Sequence, residues 1–156
     1  MSMMKKVLTA ILTLTMILAF TACGGNAKEA QSVSEIMTSI KSEIEFPEMA
    51  EIDKASLNGY FEIKTEDIED MAYIIAGGGA TADEVLILKM KDSTNINDIK
   101  TKVEARKKMQ TELFESYSPE EMPKLKSSIV EAKGNYVFFA ITNDNTKAKK
   151  IFNDAV

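Results

Sequence analysis

Histidine is absent from this 156-residue chain and cysteine occurs once, so few residue types remain that could do chemistry. Ser-His-Asp and Cys-His catalysis, the common zinc sites and thiol redox cycling are excluded together. Carboxylates, lysines, tyrosines and serines are left, with oxygen ligands for a hard cation. No D-x-D-x-D-G loop of the calcium-binding type occurs, so neither a metal nor a cofactor is expected. No carboxylate pair stands out on a core face, and no catalytic residue is nominated. The side chains that do stand out are Arg106 and Gln110. At about 100° per residue, Ile96, Ile99, Val103, Met109, Leu113, Phe114 and Tyr117 fall within an arc of roughly 140°, and Arg106 and Gln110 fall inside it. A guanidinium on a core-facing stripe needs a carboxylate or carbonyls to offset its lost hydration. Two readings follow: a structural pair, or a ligand-binding pocket in which Arg106 and Gln110 recognise an anionic or amide-bearing molecule.

The single cysteine, Cys23, has a different chemistry. Lys5 and Lys6 precede an apolar run from Val7 to Phe20, which Thr21, Ala22 and Cys23 close before Gly24 and Gly25. The run is shorter than the roughly 18 residues that a membrane span requires, and its layout is that of a secretory signal. Phe20-Thr21-Ala22-Cys23 resembles the lipobox of a bacterial lipoprotein signal, with Phe20 where leucine is usual. That resemblance implies a diacylglyceryl group on the Cys23 thiol and cleavage just before it. The expected division is a signal peptide over 1–22, a lipidated cysteine and polar tether over 23–31, and one extracytoplasmic domain over 32–156. The expected location is the outer face of the bacterial cytoplasmic membrane, held there by the lipid on Cys23.

Charge narrows the partners. The chain carries 19 basic and 24 acidic residues, net −5, which becomes −7 once Lys5 and Lys6 leave with the signal. An acidic domain repels phosphate backbones, so nucleic acid is not an expected partner.

The elements that must position Arg106 and Gln110 are legible in outline. Ser32 and Glu35 form a capping box for a helix bearing Ile36, Met37, Ile40 and Ile44, which Pro47 stops. Asp53 caps a short helix with Leu57 and Tyr60, and Thr65 caps a single turn that contains Ile68. Strands are expected at 71–76, 84–91, 128–133 and 136–142. Ala76-Gly77-Gly78-Gly79-Ala80 reads as a hairpin connection, because neither Lys-Ser/Thr nor a helix follows to make a phosphate cradle. The helix bearing Arg106 ends near Tyr117, and Ser118 with Glu121 offers a second capping box. Tyr136 to Thr142 is apolar on both faces, so that strand should be central or covered on both sides. Asn143 or Asp144 caps a last helix whose Ala148, Ile151, Phe152 and Ala155 face inward. These elements predict an α+β two-layer sandwich, a four-stranded, mainly antiparallel sheet with helices on one face.

Three segments carry a family resemblance: Met71-Ala-Tyr-Ile-Ile, then Ala82-Asp-Glu-Val-Leu-Ile-Leu-Lys89, then Lys133-Gly-Asn-Tyr-Val-Phe-Phe-Ala-Ile-Thr142. In that order, behind a lipobox and with Arg106 between the last two, they resemble the bacterial lipoproteins grouped as domain of unknown function 4358. The resemblance implies a single exported domain and carries no activity to transfer. The expected function is a membrane-anchored binding or accessory module, acting on an envelope protein or a small ligand. The alternative is a cell-envelope hydrolase using paired carboxylates.

Overall fold

The computed structural model describes residues 30–156, so Cys23 and the apolar run before it lie outside the described residues. The first capping box forms as expected. Ser32 N–H donates to Glu35 Oε2 at 2.9 Å, and Glu35 N–H donates to Ser32 Oγ at 3.3 Å. Two otherwise free amides are satisfied, and helix α1 (Val33–Glu43) begins with Val33, Ile36, Met37 and Ile40 buried at helical spacing. Strand β1 (Met49–Glu51) follows, and then a 3₁₀ turn (Lys54–Ser56) whose Ser56 N–H donates to Asp53 Oδ1 at 2.8 Å. Helix α2 (Leu57–Phe61) ends at Glu62, which sits in the left-handed region with φ 55°.

The turn expected at Thr65 is a 3₁₀ turn (Thr65–Asp67) whose cap residue is Lys64, without a side-chain hydrogen bond. The chain then enters strand β2 (Ile68–Ala76), so Ile68, Glu69 and Asp70 are extended rather than helical. Strand β3 (Glu84–Met90), the 22-residue helix α3 (Ile96–Tyr117) and a 3₁₀ turn (Pro119–Glu121) come next. Helix α4 (Met122–Lys126), strands β4 (Ile129–Lys133) and β5 (Tyr136–Ile141) and helix α5 (Asn145–Ala155) complete the order. Asp144 caps α5, its Oδ1 accepting from Lys147 N–H at 2.9 Å.

The sheet has five strands rather than four, in the order β1-β2-β3-β5-β4, every pair antiparallel. The additional strand, β1, is three residues long, too short for a period-2 pattern to show in sequence. Its place comes from the register Ala50↔Ile75 and from two flanking bonds, Ile52 N–H to Tyr73 O and Gly77 N–H to Glu48 O, both 2.9 Å. The triple glycine closes the β2–β3 hairpin with Gly79 at φ +63°, a conformation in which glycine alone carries no steric cost.

Strand parity splits the apolar side chains into two clusters on opposite faces of the sheet. Leu86, Leu88 and Met90 of β3 join Val137, Phe139 and Ile141 of β5 under Leu57 and Phe61 of α2, Ile99, Val103 and Phe114 of α3 and Leu125 of α4. Val85, Ile87, Phe138 and Ala140 meet Ile36 and Ile40 of α1 with Ala148, Phe152 and Ala155 of α5. Helices contribute to both clusters, α2, α3 and α4 to the first and α1 and α5 to the second. The physical reason lies in β5, all six of whose residues are buried. A strand apolar on both faces loses the hydrophobic gain of one face if it stays wet, so both faces are covered.

Candidate functional site

Glu84, the first residue of β3, is in phase with Leu86 and Leu88 and therefore points toward α3. It is fully buried. Its Oε1 accepts from Tyr73 Oη at 2.7 Å and from Arg106 Nε at 3.1 Å. Its Oε2 accepts from Arg106 Nη2 at 3.1 Å and from Gln110 Nε2 at 2.7 Å. A carboxylate offers about four acceptor positions, and here three side chains from β2 and α3 fill them.

The two sequence-nominated residues are therefore brought together, on one carboxylate. One helical turn separates Arg106 from Gln110, which places both over Glu84. The Arg106 side chain is 10% exposed, and the Tyr60 ring lies 5.3 Å from its guanidinium carbon. Tyr60 in turn meets Tyr73 edge-on, with centroids 5.3 Å apart at 80°. Burial opposes the charge on Arg106, but the Glu84 charge and its hydrogen bonds outweigh this and hold the guanidinium pKa above its ordinary value. The Tyr73 phenol is pushed well above its ordinary range, first by burial and then by the Glu84 charge and hydrogen bond. Both donors thus keep their protons across the physiological range, and the centre is a locked pair rather than an acid–base device.

A second buried polar centre was not legible in sequence. Lys124 Nζ lies 2.8 Å from Asp83 Oδ2 and 2.9 Å from Glu121 Oε2, and Ala82 N–H donates to the same Glu121 oxygen at 2.9 Å. The expected capping box of Ser118 and Glu121 is thereby displaced, because the Glu121 carboxylate reaches across to Ala82, just before β3, instead of back to Ser118. Burial opposes the Lys124 charge, yet its hydrogen bonds to both carboxylates raise its pKa. Asp83 Oδ1 is buried without a hydrogen-bond partner. No group of three or more acidic, cysteine or histidine residues that could hold a metal occurs among the described residues.

The apolar arc of α3 is only partly covered. Ile99, Val103, Gln110 and Phe114 are buried, whereas Met109, Leu113 and Tyr117 are 49%, 56% and 65% exposed. Met109 and Leu113 lie at the edge of that arc and form a shoulder open to solvent, whereas Tyr117, in phase with buried Ile99, is exposed at the last residue of the helix. Two cavities flank that shoulder. One of about 180 Å³ is walled by Tyr60, Phe61, Lys102, Ala105, Arg106 and Met109. The other, about 240 Å³, lies between the glycine hairpin and α3, against Ile75, Ala76, Thr81, Gln110 and Leu113. By contrast, the lysines at the start of α5 form ordinary surface pairs, Lys147 with Glu43, Lys149 with Glu131 and Lys150 with Asp154.

An antiparallel sheet interleaved with helices, carrying a self-satisfied polar centre beneath an exposed apolar shoulder, defines an α+β domain. Within that class, the family model described as Domain of unknown function (DUF4358) matches residues 42–142, and the chain belongs to that family. The match runs from the end of α1 to just past β5, so it takes in the whole sheet, Glu84, Arg106 and the shoulder of α3. No curated protein matches the chain, and no solved structure does.

Proposed function

We propose that this chain is a membrane-anchored extracytoplasmic lipoprotein, tethered to the outer face of the cytoplasmic membrane through a lipid on Cys23. On this reading the domain is a binding or accessory module that presents the shoulder of α3 to a protein partner. The observation that carries the reading is the exposed row Met109, Leu113 and Tyr117, the large apolar side chains left open to solvent among the described residues. Exposed apolar side chains with recesses beside them offer a surface that a partner can cover. Arg106 and Gln110 serve that surface by fixing α3 to β3, since their donors to Glu84 are committed. The hydrolase alternative needs a carboxylate pair free to face a glycan. Asp83 and Glu121 instead share Lys124, which favours the binding reading.

Two experiments test this. In cells producing Cys23→Ala, the protein should leave the membrane fraction for the medium or persist as uncleaved precursor; normal processing with normal retention would refute the anchor. A photo-crosslinking residue placed at Leu113 of the full chain should capture a neighbouring protein in intact membranes. Complete absence of adducts there would refute the contact surface.

A further inference from the structure

We infer that the cavity between the glycine hairpin and α3 is a binding site for a neutral amide, whose carbonyl meets Arg106 and whose N–H meets Gln110. The inference goes beyond the contact surface and does not depend on what meets the shoulder. It starts from the hydrogen-bonding capacity that Glu84 leaves unused. Arg106 turns its Nε and Nη2 edge to that carboxylate. The guanidinium is planar, so Nη1 points away from this edge. Its N–H groups have no acceptor among the described residues. Gln110 is oriented by the same carboxylate. Its Nε2 donates to Glu84 Oε2 at 2.7 Å, a bond that only the nitrogen end of the amide can make. Oε1 is thereby left as an acceptor with no donor among the described residues.

Both residues line the cavity of about 240 Å³, although Gln110 as a whole is only 6% exposed. Among the described residues, the buried side-chain atoms without a hydrogen bond are Thr81 Oγ1 and Asp83 Oδ1. Arg106 Nη1 and Gln110 Oε1 are therefore not sealed in, and each can still be reached. The rest of the wall is largely apolar, with Ile75, Ala76, Leu113 and Phe114. An apolar cavity with a few convergent polar groups is the usual form of a small-ligand site.

The polar groups select the ligand class. A donor and an acceptor one helical turn apart call for an acceptor and a donor on one edge, which a primary carboxamide presents. A carboxylate fits less well on two counts. Its oxygens would face Gln110 Oε1, acceptor against acceptor. Glu84 already balances Arg106, so a further anion would be poorly compensated in a nearly closed site. An amide brings no charge, and by replacing both bonds it displaces solvent without stranding either group. Glu84 holds the two side chains in place before the ligand arrives, which reduces the cost of ordering them. The volume corresponds to about eight waters at roughly 30 Å³ each, so the site suits a small amide or one amide side chain.

The test is an NMR titration of the isotope-labelled full chain in detergent micelles. The probes are benzamide, its carboxylate counterpart benzoate, and N-acetylglutamine methylamide. Benzamide should shift the Gln110 side-chain amide, Arg106 Nε–H and the backbone amides of 76–82 saturably, with a midpoint of about 1 mM, and benzoate should bind about tenfold more weakly. Ala76→Leu fills the cavity while leaving Glu84, Arg106 and Gln110 in place, and should abolish these shifts. Gln110→Met removes the acceptor and should weaken benzamide about tenfold. Tighter binding of benzamide than of the blocked glutamine would identify a free small molecule, and the reverse order an amide side chain of a peptide; either upholds the site. Benzoate binding as tightly as benzamide would overturn the amide class. No saturable shift up to about 20 mM benzamide, or shifts that persist unchanged in folded Ala76→Leu, would overturn the site. Should Ala76→Leu fail to fold, unchanged benzamide affinity in Gln110→Met would overturn it equally.

Discussion

Replacing Arg106 by leucine removes the cation from a carboxylate that has no access to water. Glu84 would keep two of its partners, the Tyr73 hydroxyl and the Gln110 amide, and lose the two guanidinium bonds at 3.1 Å. Breaking one side of a buried pair costs about 3–5 kcal/mol. The two surviving hydrogen bonds place this case near the lower end, and loss of the Tyr60 stacking adds about 0.5–1 kcal/mol. Arg106→Leu should therefore destabilise the domain by about 4 kcal/mol, a fall in Tm of roughly 10 °C or more for a domain of this size. The same reasoning requires a partial rescue. Adding Glu84→Gln removes the stranded charge but keeps an acceptor for Tyr73, so the double variant should recover about half the loss. Urea unfolding of the wild type, both single variants and the double variant closes the cycle. A loss below about 1 kcal/mol for Arg106→Leu, or no coupling with Glu84→Gln, would refute the locked pair. Arg106 would then be free to meet a ligand.

The Lys124 centre should behave similarly: Lys124→Met leaves Asp83 and Glu121 without their shared cation and should cost about 2–4 kcal/mol in urea unfolding. Because the pKa values of both Lys124 and Tyr73 are raised in the fold, their stabilisation is complete below the unfolded values near 10 and is lost as pH rises through the folded ones. The wild type should thus lose stability progressively at alkaline pH, and the slope should be shallower in Lys124→Met. Phe138 is fully buried and stacked on Phe152 at 4.7 Å and 8°, so Phe138→Ala should cost about 3–5 kcal/mol, read from the same denaturation curves. Glu62→Gly relieves a left-handed residue at the end of α2 and should raise Tm slightly, by about 0.5–1 kcal/mol in stability.

The parts of the fold that repeat a local signal were readable from sequence. The Ser32 and Glu35 box, the glycine hairpin, the strand from Tyr136 and the Asp144 cap each combine a special residue with a nearby periodic run. What escaped was decided by contacts distant in sequence. β1 has no pattern of its own and exists because β2 offers an open edge. Glu121 looked like a capping residue, and Ala82 and Lys124 claim it. Arg106 and Gln110 were visible because they interrupt an apolar arc, but their partner was not named. A signal for it existed: Glu84 shares the parity of Leu86 and Leu88, so a carboxylate was pointing at the same layer as the arginine. The exposed side of the arc could not be foreseen, since periodicity reports which residues share a face and not how wide a strip the neighbours cover.

The position of β5 also governs when the domain can form during synthesis. The strand that lies between β3 and β4 is among the last segments made, and α5, which closes the cluster over Val85, Ile87 and Phe138, is later still. A nascent chain carrying everything up to α4 has no strand on the second edge of β3, and α1 alone to cover the face that it later shares with α5. Long-range pairing of this kind is slow, because the loop must close before any contact rewards it. Until β5 and α5 are made, β3 keeps an open edge, so completion of the sheet waits on the final residues of the chain. A chain cut short by a dozen residues loses α5 whole and leaves Val85, Ile87 and Phe138 without Ala148, Phe152 and Ala155, so it should be open to proteolysis.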